Sequence, residues 1–126
     1  MVVDTTWYRK GAQNDSQEGW IINDRTDRCL SDELTITVGD TYRAINDLEF
    51  RILWLRDGEI AGNSSTWLTS YTITAEDVAK NYDTMMLHVR MYNGADITPD
   101  LVAKSILHTG SNGKVVPPPS REEVKE

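Results

Sequence analysis

Thr84-Met85-Met86-Leu87-His88-Val89-Arg90-Met91-Tyr92 is the stretch on which the reading of this chain turns. Met85, Leu87, Val89 and Met91 fall on one side of an extended backbone, and Met86, His88, Arg90 and Tyr92 on the other. That is the period-2 signature of a strand with one apolar face. Asn93-Gly94 follows, a dipeptide suited to a tight turn. His88 lies opposite Leu87 and Val89, so solvent exposure is expected for it.

Working back toward the N-terminus, Thr74-Ala75-Glu76-Asp77 reads as a capping box, with a hydroxyl to accept from the third helical amide and an acidic side chain to reach back. One or two helical turns over 75–80 are expected. Trp67 to Thr74 alternates again and puts Trp67, Thr69, Tyr71 and Ile73 on one side of a strand. Leu48 to Arg56 is a longer strand with Phe50, Ile52 and Trp54 on one face and Arg51, Leu53 and Leu55 on the other. Asp57-Gly58 turns it into a hairpin whose return begins at Glu59-Ile60-Ala61. Thr41 to Ala44 is a short strand, and Leu34, Ile36 and Val38 alternate with Thr35 and Thr37 in another, closed by Gly39-Asp40. Beyond Pro99, Leu101 to His108 reads as the last strand. The core is expected around Trp54, Phe50, Ile52, Tyr71, Leu87 and Val89.

The totals set limits on function. A chain of 126 residues suits one domain with tails. The net charge of −7 and scattered Lys and Arg residues argue against nucleic acid as a partner. No apolar run approaches the roughly 18 residues that cross a bilayer, and Met1-Val2-Val3-Asp4 lacks a signal-peptide pattern, so neither membrane nor export is expected.

Candidates for chemistry are sparse. Cys29 stands alone, which rules out an intrachain disulfide and suits a small semi-buried apolar residue; His88 and His108 are the only bases a thiol could use. Asp24, Asp27, Asp32 and Glu33 lack the spacing and the glycine of a calcium loop. Asn63-Ser64-Ser65 fits a glycosylation triplet but reads as turn chemistry. No catalytic motif is found, and no catalytic residue, cofactor or metal is expected.

Residues 1–30 are polar and rich in turn formers, interrupted by Trp7-Tyr8 and Trp20-Ile21-Ile22. Each island could be a short strand, with 13–19 as the loop of a small hairpin or extended arm. Isolated aromatics of this kind serve either as anchors in a partner's pocket or as caps on the open end of a domain. Trp7, Tyr8, Trp20, Ile21 and Ile22 are therefore the candidate partner-binding residues. Residues 111–126 hold Pro117-Pro118-Pro119 and a charged end, which favours an extended tail. The expected division is an arm over 1–30, a β-sandwich over 31–110 and a tail over 111–126.

About seven short strands, a Trp in the third and a helical corner before the penultimate describe an all-β Greek-key sandwich. Within Leu34 to Leu107 the residues Val38-Gly39-Asp40, Trp54-Leu55-Arg56-Asp57-Gly58-Glu59-Ile60-Ala61-Gly62, Ser64-Ser65 and Tyr71-Thr72-Ile73-Thr74-Ala75-Glu76-Asp77-Val78-Ala79-Lys80 stand in order. This run resembles the bacterial and bacteriophage immunoglobulin-like domains. It departs from them at Ala79, where a Gly is usual, in a longer step over 81–84, and in lacking the cysteine pair of antibody-type domains. The resemblance implies a non-enzymatic virion structural protein made in the host cytoplasm, most plainly a capsid decoration subunit present in many copies. Its partners would be the major capsid protein or other virion subunits. Alternatives are a module binding carbohydrate or host surface glycans, with Trp67, Tyr92 and Trp20 stacking on sugar rings, and a tail or neck assembly adaptor.

Overall fold

Two sheets of unequal size close over Trp54, and a separate hairpin lies on the outside of the larger. The computed structural model describes residues 5–17 and 19–110. The tail expected over 111–126 lies outside the described residues. Among those described, the chain forms ten strands and two short helices.

The larger sheet is built on β6 (Leu48–Arg56) and β9 (Thr84–Met91), which pair antiparallel from Leu48↔Met91 to Leu55↔Thr84. The Asp57-Gly58 turn, with φ of 55° and 81°, folds β7 (Glu59–Asn63) back on β6. Positive φ at both central residues matches the right-handed twist of the flanking strands. The other flank of β9 takes β4 (Cys29–Ser31), which in turn pairs with β1 (Trp7–Tyr8). The order is β1-β4-β9-β6-β7. The smaller antiparallel sheet runs β10-β5-β8, with β5 (Thr41–Ala44) between β8 (Ser70–Thr72) and β10 (Ile106–Thr109). The last strand thus pairs with β5, across the sandwich from β9.

Period-2 alternation places the core where the sequence put it. Phe50, Ile52, Leu87 and Val89 have no exposed surface and Trp54 is 6% exposed; Tyr71 is partly buried against them. Tyr42, Ala44 and Ile106 of the smaller sheet close the same core. Tyr82 stacks on Trp54 at 5.6 Å between centroids and 13° between planes, while Tyr71 meets its edge at 6.4 Å. Truncating any of these large buried side chains to Ala costs about 2–5 kcal/mol. The helical corner is α1 (Ala75–Ala79), with both arms of the Thr74/Asp77 capping box made.

Four segments differ from the reading of the sequence. Residues 35–38 are not in a strand: Leu34 alone bridges to Met85, and the chain then crosses to the smaller sheet, which it joins at Thr41. Residues 67–74 cross in the same way, Leu68 bridging to Phe50 in one sheet and Ser70–Thr72 pairing in the other. Alternation in both places records a passage along the core's edge rather than one strand. Leu101 to His108 divides into α2 (Pro99–Ala103) and β10; Thr98 Oγ1 accepts from Leu101 N–H at 3.2 Å, and Pro99 starts the helix, where its missing N–H costs nothing. Finally, the expected boundary near residue 30 falls inside β4. Residues 7–8 and 29–31 belong to the larger sheet, and only β2 (Lys10–Asp15) and β3 (Gly19–Asp24) form a hairpin of their own.

Candidate functional site

The outer face of the larger sheet carries the side chains that β6, β9 and β4 turn away from the core, and the chain roofs it in two different ways. One end is apolar. Leu53 pairs with Met86 and Leu55 with Thr84 across β6 and β9, and Leu30 stands beside His88 on β4. The β2–β3 hairpin lies over them, so that Ala12, Leu30, Leu53, Leu55 and Met86 form a second core against which Trp20 and Ile60 pack. At residue 11 the hairpin passes close to the stems of two arginines, which glycine permits: a Cβ there would come within 2.8 Å of Arg25 Cγ and 3.3 Å of Arg28 Cγ.

The hairpin leaves apolar surface at its margins. Tyr8 is 41% exposed and Ile22 48%. A groove of about 250 Å³ runs between Tyr8, Ile22, Leu30 and Met86, with Asp32 and Glu33 on its wall. A second groove, of about 460 Å³, is lined by Trp20, Ile22, Leu55, Ile60 and Met86, with Glu33 and Glu59 at its rim. Ile22 and Met86 belong to both. Of the residues singled out from the sequence, the structure therefore brings Tyr8, Trp20 and Ile22 together. Ile21, half-buried, falls on the other face of β3 by alternation. Trp7 is corrected: its side chain is 6% exposed within the main core, so it anchors its own sheet rather than a partner.

The other end of the outer face is basic. Leu68 pairs with Phe50 and points inward, so Trp67, one residue earlier, falls on the outside. Its ring has the guanidinium of Arg90 at 4.1 Å, that of Arg51 at 4.6 Å and that of Arg28 at 5.5 Å. Arg90 is held by Glu49, with Nε and Nη2 each 2.7 Å from Oε1. Asp27 accepts two hydrogen bonds from Arg25, at 2.8 and 2.9 Å, and lies 3.3 Å from Arg28 Nη1. Arg51 Nε is buried without a hydrogen-bond partner, and no carboxylate among the described residues pairs with Arg51.

His88 lies at the junction of the two ends. The expectation of exposure is overturned: it is 3% exposed, roofed by the hairpin and by Trp67, whose ring is 5.3 Å away. Its Nε2 accepts from the Ala12 N–H at 3.3 Å, which puts the ring proton on Nδ1. Burial, and then the charges of Arg51, Arg28, Arg25 and Arg90, push its pKa down to about 3. The imidazole is therefore neutral and cannot serve as a cation.

The remaining candidates have ordinary structural places. Cys29 is fully buried, and burial pushes its thiol up to about 11 against a weaker pull from Arg9, the opposite of an activated nucleophile. Asp24 is bonded to Lys10 at 2.9 Å and Asp27 to the arginines, so these carboxylates face cations already in the chain. Asn63 Oδ1 accepts from Ser65 N–H at 2.6 Å, the turn chemistry its sequence suggested. Tyr92 is 66% exposed beyond β9, whereas Trp20 and Trp67 sit at opposite ends of the outer face.

The arginine cluster escaped the sequence reading although part of its signal was present. Alternation put Arg51 opposite the core face of β6 and Arg90 opposite that of β9; only the register, Arg51↔His88 and Glu49↔Arg90, brings them together with Trp67. Compared with known protein families, curated proteins and solved structures, the chain gives no significant match.

Proposed function

We propose that this chain is a non-enzymatic assembly protein of immunoglobulin-like sandwich type, a virion accessory subunit that docks on a capsid shell and displays its domain there. The run from Leu34 to Leu107 supports the family reading, as do the paired sheets over Trp54 and the capped corner before β9. On this reading the pairing of β10 with β5 instead of β9 is a departure from the usual order of that architecture.

The observation on which docking rests is the apolar margin of the hairpin: Tyr8 and Ile22 exposed beside two grooves floored by Met86. An exposed ring and a branched aliphatic next to preformed concavities are the parts of an interface that bury well, while Asp32, Glu33 and Glu59 at the rim provide orientation. Each site need bind only weakly, because a lattice presents many copies and raises avidity.

The test is a double variant, Tyr8→Ser with Ile22→Glu, assayed for cosedimentation with shells that lack the protein. Binding should fall at least tenfold, with a cooperative melt retained because neither side chain belongs to either buried core. Val78→Ser, an equally exposed apolar residue on α1, should bind as wild type. Undiminished binding of the double variant rejects this face as the docking surface, and saturable glycan binding by the monomer favours the sugar-binding alternative.

A further inference from the structure

We infer that the basic end of the outer face, Arg28, Arg51 and Arg90 around Trp67, is a binding site for a single carboxylate carried by an acidic peptide segment. The site is separate from the apolar margin and does not depend on the shell-docking reading. Four arginines converge here, Arg25, Arg28, Arg51 and Arg90, and two carboxylates answer them, Asp27 and Glu49. In a chain of net charge −7 this is a local excess of positive charge that no other carboxylate among the described residues neutralises.

The deficit is localised on Arg51. Arg90 is held by Glu49, and Arg25 and Arg28 by Asp27, but among the described residues the Arg51 guanidinium has the face of Trp67 at 4.6 Å and no carboxylate, with Nε buried and lacking an acceptor. Neutral His88 beside it offers no negative charge. A buried donor without a partner is costly, and a charged one more so. The site is therefore poised for an incoming acceptor with two oxygens in a plane, the geometry a guanidinium fork matches. Burial and the repulsion of Arg90 both disfavour the charged form of Arg51, and an anion would relieve that cost.

The chemistry favours a carboxylate over a phosphate. Asp27 and Glu49 show that this cluster already accommodates carboxylates at 2.7–2.9 Å. One unanswered guanidinium suits a monoanion, the indole gives a wall for the methylenes of a Glu side chain, and the negative field of the whole chain opposes a polyanion such as nucleic acid.

The decisive measurement uses the intact wild-type protein. The Arg51 Nε–H and Trp67 Nε1–H signals are followed by ¹H–¹⁵N NMR during titration with acetyl-Gly-Glu-Gly-amide, which carries one carboxylate, at low salt. A saturable shift of both in the wild-type protein, with the Trp67 shift weakened at least tenfold in Arg51→Gln and unchanged in Arg43→Gln on the exposed face of β5, is the expected result. Absence of a saturable shift at Arg51 in the wild-type protein overturns the inference whatever the variants do. So does saturation by inorganic phosphate or a short oligonucleotide where the peptide fails. Because no shell is present, failure here leaves the docking reading standing, and failure of shell binding leaves this one.

Discussion

His88 holds the two halves of the outer face together in a form that depends on pH. Its pKa of about 3 in the folded protein lies below the ordinary 6.5, so the native ring stays neutral while the unfolded chain takes up a proton as pH falls. The unfolded state thus binds more protons in the window between those values, and stability, complete above about pH 6.5, declines as pH drops toward 3. Between pH 6.5 and about pH 5 the wild-type protein should lose about 1.5 kcal/mol more than His88→Gln, measured by urea unfolding at each pH. Equal slopes for the two proteins would show that the native ring takes up its proton as readily as the unfolded one. Alternation correctly placed this side chain away from the core; what the sequence did not reveal was a second layer above it. A face turned from one core is exposed only if nothing returns to cover it, and here β2 and Trp67 do.

At the scale of elements, the corner at α1 was readable because its chemistry is local. Thr74 Oγ1 accepts from Asp77 N–H at 3.2 Å, and Asp77 Oδ2 accepts from Thr74 N–H at 2.9 Å and from Tyr71 Oη at 2.7 Å. Thr74→Ala should cost about 1 kcal/mol, the usual loss of an N-cap. Asp77→Ala should cost more, about 2–3 kcal/mol, since it strips partners from a backbone amide and from a half-buried phenol as well. Chemical denaturation would order them; a milder effect at Asp77 would mean that water replaces its carboxylate freely. The α2 helix carried a local signal too, Thr98-Pro99, but the apolar spacing from Leu101 to Leu107 fits a strand equally well over so short a run. Residues 35–38 and 67–69 mislead for another reason, since a segment crossing between sheets along the core's edge keeps period 2 without ladder partners.

For the whole molecule, the all-β architecture of antiparallel sheets, its core and the β6–β7 hairpin were legible, because β6 and β9 are long and each keeps one unbroken apolar face. The union of 7–31 with the larger sheet was not, since pairing of β4 with β9 joins residues far apart in sequence and leaves no local mark. The same distance hid the second core and split the proposed anchors, sending Trp7 inward and leaving Tyr8, Trp20 and Ile22 at the surface. Removing residues 1–30 would take away β1, the hairpin, and Cys29 and Leu30 of β4. The shortened chain should lose its cooperative thermal transition. A sharp melt would instead make the segment an appendage.

The pairing of β10 with β5 also bears on how the chain is made. Residues 41–44 leave the ribosome well before 106–109, so in the interval β5 has β8 on one side and a bare row of amides and carbonyls on the other. Such a row templates association between neighbouring nascent chains. Yield in a crowded cell would then be governed by how quickly Ile106–Thr109 arrives to seal the seam, and slowing translation just ahead of it would turn product into aggregate.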